Sequence, residues 1–168
     1  MIEAQLFEAL QSAIEAVTGR VVAYIHTQLP GIVQSFSEGR IEAVPAVSVT
    51  GDNGEEITLP VIVDIPVIYP RTSKFSLTFP LEKGDGVLLI FCEYSTDGYN
   101  ETGKKSLQSD PRQHSLTDAV ALAGYFGGGK GQNPGSWDKT EIVFGKSKII
   151  LSDDGTIDFN NGALKVTA

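Results

Sequence analysis

Short, β-branched segments with a period of two fill the chain from Pro30 to Tyr94. Alternation of apolar and polar residues over such lengths indicates β-strands. The last segment is nearly continuous in its apolar character, so we expect it to be the central strand. The five predicted strands are Ile32–Ser37, Ile41–Val49, Ile57–Tyr69, Phe75–Phe79 and Val87–Tyr94.

Turn residues separate these segments. Asp52–Asn53–Gly54 predicts a tight hairpin, because Asn-Gly accepts the positive φ of a type I′ turn. Pro60 and Pro66 restrict the third segment to a sheet edge or to bends, since proline has no N–H to donate. Five short strands joined in this way are typical of a Greek-key barrel of the oligonucleotide/oligosaccharide-binding (OB) type, with a β-sandwich as the alternative.

Residues 2–17 have helical spacing, and Gly19 is the expected stop. An isolated helix of this length is marginal in water, so its apolar stripe must pack on another surface. That surface is either the barrel of the same chain or a partner such as a neighbouring subunit. The residues predicted to dock on a partner are Ile2, Leu6, Leu10 and Ile14.

The tail from Lys139 to Ala168 repeats short apolar pairs, which start 7, 8 and 7 residues apart and are separated by turn residues. One copy of about 30 residues is too thin to bury its own apolar face. A plain meander packed on the barrel is one interpretation, and a β-helix or β-prism completed by the tails of other chains is the alternative. We favour the second, because a Gly-rich linker separates tail from barrel. The predicted trimer interface is Ile142, Phe144, Ile149, Leu151, Ile157, Phe159, Leu164 and Val166.

The predicted fold is therefore mainly β, with a helix in front and a repetitive tail behind. A short helical piece is expected near Ser115–Leu122, where Ser115 could cap it. The predicted domains are 1–28 for the helix and lead-in, 29–126 for the OB-like barrel with its following loop, 127–138 for the Gly-rich linker, and 139–168 for the β-helix or prism tail.

Charge and composition exclude some functions. Thirteen Lys and Arg against 21 Asp and Glu give a net charge of −8, so the electrostatic footprint of a duplex binder is missing and we expect no nucleic-acid partner. The single cysteine excludes an intramolecular disulfide. The N-terminus lacks the pattern of an export signal, so synthesis as a soluble cytoplasmic chain is expected.

No arrangement of reactive residues predicts catalysis. Cys92 shares the inner parity of its strand and is expected in the core. His26 and His114 have no zinc-ligand spacing. Residues 124–131 imitate a phosphate-binding loop but end in Gly131 where a hydroxyl is needed. We therefore predict no enzyme, no catalytic residue, no metal and no cofactor.

Five stretches of the chain resemble the N-terminal barrel domain of the central spike, or cell-puncturing, proteins of contractile-tailed phage baseplates. They cover about residues 29–126, and the last looks like that family's R-x-H-x-x-[ST]-D-A block. These stretches are Leu29–Phe36, Ile41–Pro45, Ile65–Val67, Phe79–Leu89 and Arg112–Val120.

The resemblance implies a structural virion protein, located in the phage tail baseplate. It implies a homotrimeric spike that plugs the tail tube, contacts hub or tail-tube proteins and meets the host envelope transiently during piercing. The tail lacks the H-x-H motif of a metal-bound tip, so the tip is blunt or a separate protein caps it. Arg112, His114 and Asp118 are expected to fix the fold rather than to act on a substrate.

A second class of function stays open. The barrel could bind glycan or peptidoglycan through stacking aromatic residues, or could belong to a cell-wall hydrolase component of the tail. The residues that would supply stacking surfaces are Tyr94, Tyr99 and Trp137.

Overall fold

The computed structural model describes residues 2–23, 25–51, 53–108, 110–128 and 138–163. Two compact units make up the chain, Met1–Gly127 and Gly128–Ala168. The elements of the first unit are, in chain order, α1 (Ile2–Ala23), β1 (Gln28–Ser37), β2 (Arg40–Pro45), β3 (Ser48–Thr50), β4 (Glu56–Thr58), β5 (Ile62–Ile68), β6 (Gly86–Phe91), α2 (Asp97–Thr102) and β7 (Ala119–Ala123).

Five of these strands form a closed barrel in the order β1-β2-β5-β7-β6, and β6 pairs back onto β1. The β5–β7 pair is parallel, and the other neighbours are antiparallel. Alternate side chains fill the interior, as the period of two requires. The predicted closed barrel is thus confirmed, and the sandwich alternative is wrong. The most deeply buried apolar side chains are Val33, Ile41, Ala43, Ile65, Val87, Leu89 and Ala121.

One of the five barrel strands differs from the sequence prediction, because β7 belongs to the barrel and the predicted strand Phe75–Phe79 does not. Phe75–Phe79 lies in an irregular segment after β5, where a single bridge joins Arg71 to Ser76. The short helical piece predicted near Ser115–Leu122 is limited to a 3₁₀ helix, Leu116–Asp118, which leads directly into β7. Ser115 does cap this turn, its hydroxyl accepting the Thr117 N–H.

Two predicted strands are each broken in two beside a proline. Ile41–Val49 ends as β2 at Pro45 and resumes as β3, while Ile57–Tyr69 divides into β4 and β5 on either side of Pro60. The predicted hairpin turn is confirmed, because β3 and β4 pair across it and Gly54 has a φ of 78°. Asp52 lies outside the described residues.

Helix α1 continues to Ala23, so Gly19 does not end it. Every side chain from residue 5 to residue 19 is exposed. The barrel of the same chain therefore does not bury this part of the helix. The apolar residues of this part of α1 are uncovered in the single chain.

The second unit is a three-stranded antiparallel sheet in the order β10-β9-β8, with β8 at Thr140–Phe144, β9 at Ser147–Leu151 and β10 at Ile157–Phe159. Within one chain it is a meander. Tight turns join its strands, and they contain Gly145 at a φ of 57° and Gly155 at a φ of 85°. Both angles lie in the left-handed region that glycine adopts without strain.

Candidate functional site

The strand register of the tail sheet gathers the predicted interface residues on one face. Ile142 lies opposite Ile149, which lies opposite Phe159 on its other side. Leu151 likewise lies between Thr140 and Ile157. Directly opposed residues in an antiparallel sheet share a face, and so do alternate residues along a strand. The described members of the predicted interface on this face are Ile142, Phe144, Ile149, Leu151, Ile157 and Phe159.

This apolar face is uncovered in the single chain. Phe144 is 66% exposed and Ile157 is 56% exposed. The remaining two members of the predicted interface, Leu164 and Val166, lie outside the described residues. Soluble proteins rarely leave contiguous apolar patches open unless a partner covers them.

The opposite face of the sheet is mixed in character. Glu141 and Lys148 form an ion pair across β8 and β9, with 2.6 Å between Glu141 Oε1 and Lys148 Nζ. Asp158 also belongs to this face by its register with Ile150. The two faces therefore differ as the inner and outer sides of an assembled β-structure would.

Helix α1 displays a second uncovered apolar surface. Leu6, Leu10 and Ile14 are between 57% and 69% exposed, which leaves them free for the predicted docking. The side chain of Ile2 lies outside the described part of the chain. Phe7 and Val17, on the same side of the helix, are equally open.

A buried ion pair stabilises the segment between β6 and β7. The Asp118 side chain is 1% exposed and accepts a hydrogen bond from Arg112 Nε at 2.6 Å. Its Oδ1 also accepts the backbone N–H of Thr96 at 2.9 Å. Arg112 reaches on to Asp97 Oδ2 at 2.7 Å, at the start of α2. We call this set of residues 96, 97, 112 and 118 the Arg112 clamp.

The clamp sets the charge state of its own members. Arg112, more than any other group, holds the pKa of Asp118 below its usual range, against the opposing effect of burial. Asp118 in turn raises the pKa of Arg112. The pair joins the end of β6, the start of α2 and the turn before β7. This geometry supports the structural role expected for Arg112 and Asp118.

His114, the third residue of the predicted block, contributes through its backbone. It has a φ of 47°, and its N–H donates to the Glu93 carbonyl at 3.3 Å. Its Nδ1 is buried without a hydrogen-bond partner. Sequence reasoning missed Thr96, whose part in the clamp no motif indicates.

The other residues considered for chemistry are dispersed. Cys92 follows β6 and is half-buried, and burial, with a smaller effect from Asp118, raises the pKa of its thiol. A raised pKa disfavours the reactive thiolate. Tyr94 and Tyr99 are exposed, whereas Trp137 lies outside the described residues.

Two kinds of functional feature are absent from the residues that the structure describes. Among the residues described, no three His, Cys, Asp or Glu side chains gather where a metal ion could bind. None of the helices in the same part of the chain combines the length and hydropathy of a membrane span.

A family model for the phage protein Gp138 N-terminal domain matches residues 29–124. The match includes more than half of the chain and runs from β1 to the end of β7. The chain belongs to this family. The Gp138 N-terminal domain thus contains the closed barrel and the Arg112 clamp, while α1 and the tail sheet lie on either side of the matched region. No curated protein matches the chain.

Membership in the Gp138 family agrees with the phage resemblance of residues 29–126 at the level of a phage structural protein of the baseplate type. The last stretch of that resemblance, Arg112–Val120, contains two members of the clamp and leads into the strand that closes the barrel. One of the five stretches that carry the resemblance therefore lies in the segment that closes the barrel.

Proposed function

We propose that this chain is the central spike of a contractile phage tail, a homotrimer that plugs the tail tube and helps to pierce the host envelope. Two findings support the proposal. The barrel belongs to a phage protein family, and the tail sheet has one uncovered apolar face. The second finding carries the argument, because the tails of other copies can cover this face.

Three tail sheets around a threefold axis can turn their apolar faces inward. A β-helix or prism built in this way buries the interface residues of every chain and places the Glu141–Lys148 pair on the outer side. The strands β8 and β10 are the edges of the sheet in each chain. Unpaired edges invite pairing with another chain, and such interchain hydrogen bonds would make the spike rigid.

The proposed action is mechanical and involves no catalytic residue, metal or cofactor. Force from tail contraction passes along the trimer, so the trimer needs stiffness rather than a reactive group. The proposed partners are hub or tail-tube proteins, transiently the host envelope, and a tip-cap protein if the tip is not blunt. In the assembled phage the protein belongs to the tail baseplate.

Light scattering on the purified chain tests this proposal. We expect the mass of a trimer at micromolar concentration. Ile157→Asp, and likewise Ile149→Asp, should dissociate or aggregate it, because three carboxylates would be buried near one axis.

Val143→Asp is the matched control, since this residue lies on the opposite face, across from Lys148. It should leave the trimer intact. A monomer whose tail resists protease would contradict the proposal, as would an Ile157→Asp variant that assembles like the control.

A further inference from the structure

The apolar surface of α1 is wider than a single docking stripe. With the helix written as heptads abcdefg, Leu10 and Val17 occupy a, while Leu6 and Ala13 occupy d. The flanking positions are apolar as well, with Phe7 and Ile14 at e, and Ala9 and Ala16 at g. In two-stranded coiled coils the e and g positions are often charged, so apolar residues at all four positions indicate more than two helices in contact.

Most polar residues of α1 lie away from this surface, and the charged exceptions are at the ends of the helix. Glu8 and Glu15 both occupy f, the position farthest from the a/d seam, whereas Glu3 falls at a and Arg20 at d. Gln11 Nε2 donates to Glu15 Oε1 at 3.1 Å, so the polar face hydrogen-bonds within its own helix. Over residues 5–19, parallel copies of α1 can therefore meet through their apolar sides without bringing carboxylates together.

The two flanks of the apolar surface differ in size. The e flank is large and the g flank is small, and in a parallel bundle the g residue of one helix faces the e residue of the next, five positions further along. Ala9 of one copy thus provides room for Ile14 of its neighbour. Each helix offers one flank to each neighbour, which is a head-to-tail contact that closes into a ring.

The area is sufficient for a specific interface. Residues 5–19 of the helix are about 22 Å long and about 10 Å wide, so half of their surface is about 350 Å². Three such halves give about 1,050 Å², above the area of about 1,000 Å² that a specific protein interface should exceed. All of the described side chains between residues 5 and 19 are free to contribute, because they are exposed in the single chain.

We infer that the α1 helices of three copies pack into a parallel bundle, with the large flank of each helix on the small flank of the next. This inference rests on the proposed trimer, which holds the three helices at high effective concentration. The bundle accounts for a helix that would be marginal alone and that its own barrel does not bury.

Disulfide trapping in the full chain tests the bundle. In a Cys92→Ser background, Ala9→Cys combined with Ile14→Cys should give a covalent trimer on oxidation, since each helix then bonds to both neighbours. Either substitution alone should give no covalent product. Glu8→Cys with Glu15→Cys, on the polar side, is the matched control and should not yield linked trimers.

A trimeric mass by light scattering without covalent trimers overturns the bundle and leaves the proposed spike intact. Helices that dock separately on a hub protein give this same result. A monomeric mass contradicts the proposed trimer, and the bundle with it.

A second measurement needs no change at Cys92. Leu10→Asp should lower the helical circular dichroism signal of the chain, whereas Gln11→Asp should not. Equal signals from the two variants would also overturn the bundle.

Discussion

Asp118 is a charged residue in a place where burial normally disfavours charge. It keeps its proton off because Arg112 and the Thr96 N–H hold the carboxylate oxygens by hydrogen bonds. Since Arg112 also reaches Asp97, one guanidinium connects the start of α2 with Asp118 in the turn before β7. These contacts between single residues therefore fix the shape of the loop between β6 and β7.

Removing the charge at this position should destabilise the barrel. Asp118→Asn puts an amide N–H₂ against Arg112, and we expect the free energy of unfolding to fall by about 2 kcal/mol. Urea unfolding followed by fluorescence measures the change. Asp64→Asn is the control, because Asp64 is exposed in its pair with Arg40, and such pairs contribute less than about 1 kcal/mol. Equal losses in the two variants would contradict a special role for the clamp.

The clamp also predicts a dependence on pH. Because the pKa of Asp118 is lower in the folded chain than its ordinary value of about 3.9, the unfolded chain binds this proton more readily. The stabilisation is therefore complete above the ordinary pKa and is lost as the pH falls through the lower pKa of the folded state. Urea unfolding at pH values from about 6 down to about 2 should show the loss. The Asp118→Asn variant should lack this part of the slope.

At this scale the sequence indicated half of the clamp. The block from Arg112 to Val120 drew attention to Arg112 and Asp118, which lie six positions apart. It could not indicate Thr96, 22 positions before Asp118, because only the closed fold brings that N–H to the carboxylate.

Among the elements, the alternation of apolar and polar residues predicted the strands whose own side chains favour a strand. It missed the strand that forms because of its packing. Strands β1, β2 and β6 follow their β-branched runs. Strand β7 is Ala119–Ala123, a segment rich in alanine with weak strand propensity. It is a strand because it pairs with both β5 and β6, and its Ala119 and Ala121 are buried in the barrel core. Phe75–Phe79 alternates between apolar and polar residues but forms no strand of the barrel.

The tail shows the opposite case. Its turn residues and repeated apolar pairs were enough to place six interface residues on one face, because turns fix the register and the register fixes the face. Nothing in that pattern shows what covers the face, since the pattern describes this chain alone.

Helix α1 gives an element-scale prediction. Deleting residues 1–18 should leave the melting temperature of the barrel unchanged, because the helix side chains from residue 5 to residue 18 are exposed and contribute little to its core. Differential scanning calorimetry of the truncated and full chains makes the comparison. A barrel that melts earlier or fails to fold would show that α1 packs on it.

The whole molecule carries a net charge of −8, and this determines which polymers it can approach. Binding to nucleic acid gains free energy from counterion release when basic groups meet phosphates, and an acidic chain lacks that gain. We expect no binding to single-stranded oligonucleotides at physiological salt, as measured by fluorescence anisotropy. Tight binding that weakens as salt is added would contradict this expectation.

The strands of the barrel are synthesised in an order that differs from their order in the barrel. The strand that closes it, β7, is the last of the five to leave the ribosome, and it has to enter between β5 and β6, which are already made. Until residue 123 emerges, the nascent chain has two open sheet edges, the kind that misassemble with other chains. Asp118 emerges immediately before β7, so closure and clamping coincide. The apolar tail follows only afterwards, so a nascent chain completes its barrel before the apolar face of the tail sheet is made.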